Sequence, residues 1–84
     1  MTRDEVAKLF GTTATKVDAA FKRGMKVKVE GFEVNGVILD VPLRVGYPIA
    51  VEFNAEVKAG STCEGLGKKG RCRWIRPDRI SAVK

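Results

Sequence analysis

Histidine is absent from the 84 residues, and with it the side chain that most often serves as a general base near neutral pH. Only two cysteines are present, Cys63 and Cys72, short of the four Cys or His ligands of a structural zinc site. No metal and no cofactor is expected. No nucleophile motif appears, and Gly65-Leu66-Gly67-Lys68 lacks the spacing of a phosphate-binding P-loop. The carboxylates are scattered, without the pairing that acid and base roles need, so the chain does not read as an enzyme. No apolar run approaches the roughly twenty residues of a membrane span. Met1-Thr2-Arg3-Asp4-Glu5 is not followed by the apolar core of a signal peptide, and the expected setting is cytoplasmic. In a reducing cytosol the cysteines stay thiols. The alternative is a Cys63–Cys72 disulfide, since a hairpin around the glycine-rich stretch between them would set them opposite each other.

What the chain has is positive charge, unevenly placed. Residues 58–84 hold eight of the sixteen lysines and arginines against only Glu64 and Asp78, a surplus of six. Residues 1–24 have a surplus of two, and residues 25–57 a deficit of two. Clustered cations release counterions on meeting phosphates, so this distribution reads as a footprint for a polyanion, most often nucleic acid. A chain of this length has room for one small core.

Thr2-Arg3-Asp4-Glu5 is a capping box, and Val6, Leu9 and Phe10 follow at helical spacing. Gly11 supplies a left-handed stop, Thr12 or Thr13 caps a second helix with Val17, Ala20 and Phe21 on its apolar face, and Gly24 ends it. From Met25 the period becomes two: Met25, Val27 and Val29 face inward between Lys26, Lys28 and Glu30. Asn35-Gly36 signals a type I′ hairpin turn leading to a second strand from Val37 to Val41. Ile49, Val51 and Phe53 alternate in a third strand, and Arg71 to Ile75 forms a fourth. A tight turn at Pro77-Asp78-Arg79 precedes a short fifth strand from Ile80 to Val83. Residues 54–70 are too long for a hairpin tip and suggest an extended or mobile loop.

The run from Asp4 to Gly24, with small Ala7, Gly11 in the turn, Val17 and the closing Lys22-Arg23-Gly24, resembles the helix-turn-helix of excisionase-like and MerR-like DNA-binding proteins. That resemblance implies a second helix in the major groove, with Thr13, Thr15 and Lys16 toward bases and Lys22 and Arg23 toward phosphates. Asp18 on the same helix opposes docking on a phosphate backbone, and the competing reading is a helical pair that buries Phe10 and Phe21 to close one end of the sheet. Residues 24–83, through Gly24-Met25-Lys26-Val27-Lys28-Val29 with Asn35-Gly36-Val37-Ile38 as a first hairpin, Tyr47-Pro48-Ile49-Ala50-Val51-Glu52-Phe53 and Trp74-Ile75-Arg76-Pro77-Asp78-Arg79-Ile80, resemble SH3-like barrels of the KOW type. The size and basic character are similar to those of small accessory proteins of phages and mobile elements.

The expected fold is α+β: an N-terminal two-helix hairpin, residues 1–24, packed as one unit on a five-stranded antiparallel SH3-like barrel, residues 25–84. Lys68, Lys69, Arg71, Arg73, Arg76 and Arg79 are the principal phosphate-contact candidates, with Arg71 and Arg73 on one face of the fourth strand. Trp74 then faces the other side as a core or groove residue, and Trp74 and Tyr47 are candidate stacking platforms. The expected function is that of a small, non-enzymatic nucleic-acid-binding regulator, duplex DNA being the first partner to consider. The alternative is a protein-interaction module or inhibitor that grips an acidic protein surface. A plain solvated face, its cations guarding strand edges, would look the same in sequence.

Overall fold

The computed structural model describes residues 1–83. The chain is α+β, with two short helices and a five-stranded antiparallel sheet. Helix α1 (Arg3–Leu9) starts at the capping box: the Glu5 amide donates to Thr2 Oγ1 at 3.2 Å and the Thr2 amide donates to Glu5 Oε1 at 2.9 Å. Two of the four orphan amides of a helix start are thereby addressed locally. The chain reverses at Gly11, whose φ of 75° is the left-handed conformation glycine adopts without strain. Helix α2 (Ala14–Ala20) is capped by Thr13, whose Oγ1 accepts from the Lys16 amide at 3.2 Å. Asp4 Oδ1 accepts from the Ala14 amide at 3.1 Å and ties the two helix starts together. Helix α2 stops at Ala20, four residues before Gly24, and Gly24 (φ 81°) instead turns the chain into the sheet, its amide donating to Ile38 O at 2.8 Å.

Strands β1 (Lys26–Val29), β2 (Gly36–Asp40), β3 (Ile49–Phe53), β4 (Cys72–Ile75) and β5 (Ile80–Ala82) lie in the order β4-β3-β2-β1-β5. Strand β1 shows the expected alternation, with Val27 and Val29 buried and Lys26 and Lys28 exposed. A one-turn 3-10 helix, Pro77–Arg79, carries the chain to β5, which pairs Val29 with Ile80 and Val27 with Ala82. A bulge lies between Ile38 and Asp40 on β2.

One core joins helices to sheet: Val6, Ala7, Ala14 and Val17 pack in the same cluster as Val27, Val29, Ile38, Ile49, Val51, Phe53 and Ile75. Phe10 and Phe21 pack against it, half-buried. The Cα radius of gyration, 11.8 Å, is that of one packed unit of this length.

Two expectations about the sheet need correction. Asn35-Gly36 is not a two-residue hairpin turn, because β1 and β2 are joined by the six residues 30–35 and Gly36 already belongs to β2, opposite both Val27 and Phe53. Its missing side chain serves close approach: a Cβ there would stand 2.7 Å from Val51 Cγ1 and 2.9 Å from Glu52 O. The left-handed residue of that connection is Gly31, with φ 87°.

The sheet is not closed into a barrel, since β4 and β5 are its two unpaired ends. Cys72 gives its outward amide and carbonyl to Ser61, at 3.1 and 2.7 Å, and Pro77 then bends the chain into the 3-10 turn before β4 can meet β5.

Residues 54–70 form a long connection without strand or helix, as expected, and backbone hydrogen bonds tie parts of it together. The Val57 amide donates to Gly70 O at 3.0 Å and the Gly67 amide to Thr62 O at 3.0 Å. The segment covers the outer sheet face, where Cys63 joins Cys72 and Ala50 in a second small cluster flanked by Leu39 and Trp74. Three successive left-handed residues, Cys63, Glu64 and Gly65, make its sharpest bend. Both cysteines are buried free thiols, so the Cys63–Cys72 disulfide is not formed.

Candidate nucleic-acid interface

Ion pairing divides the cations into two groups. Arg3 pairs with Asp18 at 2.6 Å, Arg23 with Asp40 at 3.0 Å, Arg44 with Glu64 at 3.2 Å and Arg76 with Asp78 at 2.8 Å. Among the described residues, Lys58, Lys68, Lys69, Arg71, Arg73 and Arg79 have no carboxylate within ion-pair distance. Arg71 and Arg73 are steered only by long hydrogen bonds of 3.4 Å from Nη1 to the carbonyls of Asn54 and Lys58. An uncompensated guanidinium keeps its full field and its donors for a ligand.

Of these, Arg73 and Arg79 meet at the open seam of the sheet, together with the paired Arg76. Phe32, in the β1–β2 connection, stacks on Phe53 with ring centroids 4.5 Å apart and planes 17° apart. The Arg73 guanidinium lies 5.6 Å from the Phe32 centroid. A groove of about 130 Å³ opens between β4 and the 3-10 turn, lined by Phe32, Arg73, Trp74, Ile75, Arg76 and Arg79. Phe32 and Arg79 also line a neighbouring groove of about 320 Å³ that holds Lys28 together with Glu30 and Asp78.

No protein-family model matches this chain, and neither does any curated protein or solved structure. The site's own chemistry therefore carries the functional reading. The candidates at the helices do not join the seam cluster. Thr13 uses its hydroxyl as a cap, Thr15 and Lys16 are exposed on a helix of seven residues, and Lys22 and Arg23 follow it in a separate groove with Asp18 and Asp40. Asp18 is held bidentate by Arg3, whose hydrogen bonds keep its carboxyl below the usual range. Lys16 lines a third groove beside Phe10 and Asp78, and Arg76 reaches toward that side with its guanidinium 5.1 Å from the Phe10 centroid.

Lys68 and Lys69 are exposed in the turn that leads into β4. Tyr47 meets Trp74 edge-on at 5.3 Å and lies under Arg44 at 5.5 Å. Trp74 is half-buried and packs on the thiol cluster while also lining the seam, which makes it chiefly a packing residue.

Burial pushes the Cys63 thiol up to about 11, with Cys72 nearby adding to the shift, and burial followed by Glu52 raises Cys72 too. Both are kept as protonated packing groups. Among the described residues no group of three or more potential metal ligands occurs, and no helix is long and apolar enough to cross a membrane.

Three residues of the region escaped the sequence reading. Phe32 sits in a connection with no periodicity, and only its tertiary stack on Phe53 brings it to the site. Lys58 comes near through its carbonyl's bond to Arg73, and Lys28 lies on the exposed face of β1, where any solvated lysine would.

Proposed function

We propose that this chain is a small nucleic-acid-binding protein, without catalytic activity of its own, that contacts phosphates through the cations of residues 58–79. The observation that carries the reading is the concentration within residues 58–79 of six basic side chains that, among the described residues, have no carboxylate partner, whereas the other unpaired cations, Lys8, Lys16, Lys22, Lys26 and Lys28, are spread over residues 1–24 and β1. Two of the six, Arg73 and Arg79, line a groove beside Phe32 and Trp74, a concave setting that guarding a strand edge does not call for. The strand order, with a 3-10 turn before β5, supports reading the sheet as an opened SH3-like one. The helical pair acts as a buttress in this account, supported by the shared core and by the ion-paired state of Asp18 and Arg23.

Fluorescence anisotropy with labelled duplex DNA, single strands and RNA at several salt concentrations tests it. Saturable binding that weakens with salt is expected, and Lys68→Ala/Lys69→Ala should lower the duplex salt slope by about two. Lys8→Ala, on the exposed end of α1, should leave the slope unchanged. Equal slopes for the double variant and the wild type would remove those lysines from the interface.

Docking on an acidic protein surface is the second reading. Exposed Val45, Tyr47 and Leu66, 57, 41 and 46% accessible, favour it, since the ion pair between Arg44 and Glu64 joins the two loops that carry them. Aromatic and arginine residues dominate protein-binding hot spots. Failure to bind any nucleic acid at low salt would bring this reading forward.

A further inference from the structure

We propose that the seam between β4 and the 3-10 turn takes an unpaired nucleotide of a single strand, its base stacked against Arg73 above the Phe32–Phe53 pair. The inference rests on the nucleic-acid reading above and specifies which form of the polymer the seam accepts.

The first support is the layered arrangement. Phe53 is buried, Phe32 lies on it at 4.5 Å, and the Arg73 guanidinium covers Phe32 at 5.6 Å. A guanidinium backed by an aromatic ring is a flat cationic shelf, and single-stranded bases stack on arginine planes as well as on rings. Among the described residues no carboxylate pairs with Arg73, and its side chain's hydrogen bond to Lys58 O is long at 3.4 Å.

The second support is the free edge of β4. Cys72 directs its amide and carbonyl outward to Ser61, and the two-residue period of an antiparallel ladder points those of Trp74 the same way, where no strand follows. A donor and an acceptor on the edge of an end strand, beside the groove, suit the hydrogen-bonding edge of a base that is not already paired. Stacked and paired bases of a duplex cannot enter a recess of about 130 Å³.

Charge sets the path of the strand. In the neighbouring groove Glu30 and Asp78 offset Lys28 and Arg79, whereas the seam is lined by Arg73, Arg76 and Arg79 and by no carboxylate. The phosphates of the strand therefore follow the arginines of the seam rather than the neighbouring groove.

Trp74 lines the groove and is the chain's one tryptophan, so its emission reports occupancy without a label. The test compares oligo-dT, oligo-U, an abasic strand of equal length and a duplex of equal phosphate count, on the wild type and on Arg73→Lys, with melting curves to show that the variant folds. The better of oligo-dT and oligo-U should quench Trp74 and bind about tenfold tighter than the abasic strand, and the stronger of the two identifies the preferred sugar. Arg73→Lys keeps the charge but loses the planar shelf, and should close most of that gap. Arg79→Ala should weaken both kinds of strand equally. An abasic strand that binds as tightly as the best base-bearing one, a duplex that binds tighter than either, or undiminished discrimination in Arg73→Lys would overturn the inference and leave the nucleic-acid reading standing. Absence of binding to all four would overturn that reading itself.

Discussion

Gly36→Ala should be among the most damaging single-methyl changes in the sheet. Gly36 lies on β2, flanked by Val27 of β1 and Phe53 of β3, and an added Cβ would sit 2.7 Å from Val51 Cγ1 and 2.9 Å from the Glu52 carbonyl oxygen. A side-chain methyl can rotate away, but the Glu52 oxygen belongs to the backbone of β3 and retreats only if the β2–β3 ladder opens. Overpacking of this kind costs about 1–3 kcal/mol, and a contact against backbone belongs at the upper end of that range. In a domain of this size each kcal/mol moves Tm by about 4–8 °C, so a fall of roughly 10–20 °C is expected. Gly31→Ala is the matched control, because Gly31 has φ 87° and nothing within 4 Å of the added Cβ. It pays only for the left-handed backbone, about 1 kcal/mol. Thermal and urea melts followed by circular dichroism and Trp74 emission would measure both. A Gly36→Ala variant no less stable than Gly31→Ala would refute the close approach of β2 to β3.

Truncating Val17, which is 2% accessible in the shared core, should destabilise the whole chain in a single transition by about 2 kcal/mol; separate melting of helices and sheet would contradict one core. If the helical pair is a buttress, Phe10→Ala and Phe21→Ala lower stability while Thr15→Ala leaves sequence preference unchanged, and a change in preference on a binding-site selection would restore the helix-turn-helix reading. Asp18→Asn removes an exposed pair and should cost about 0.5 kcal/mol in a urea melt. Because Arg3 holds the Asp18 carboxyl low, that contribution is present above the unfolded carboxylate range and is lost as pH falls through the lowered folded value. The thiols shift the other way: in the unfolded chain they ionise near 9, whereas Cys63 in the fold ionises near 11, so stability should decline as pH rises between those values. Disulfide-exchange labelling at pH 8 should accordingly be slow in the native protein and fast in urea, and rapid native labelling would contradict the buried thiol pair.

Local chemistry was legible where a few neighbouring residues decide the outcome. The Thr2–Glu5 capping box, the reversal at Gly11, the alternation of Val27 and Val29 with lysines and the limits of β3 all follow from short-range rules, and all are present. Asn35-Gly36 misled because glycine answers two different needs, positive φ and close approach, and a single sequence does not separate them. The open seam was invisible for a similar reason: whether β4 meets β5 depends on Ser61, eleven residues upstream of Cys72, taking the edge first. The basic cluster was legible as composition, but three of the four ion pairs join residues 15 to 20 apart and needed the tertiary positions of Asp18, Asp40 and Glu64, whereas Arg76 and Asp78 pair within one turn. Phe32 became a site residue only through its stack on Phe53.

The central claim is that the uncompensated cations of residues 58–79 meet phosphates. The salt dependence of wild-type binding to a labelled single strand tests it most directly. Each phosphate neutralised on a single strand contributes about −0.7 to the slope of log affinity against log salt, so engagement of all six cations sets a limit near −4. A saturable isotherm at low salt with a slope between about −2 and −4 is the expected result. No saturable binding at low salt, or binding whose affinity does not change with salt, would contradict the account.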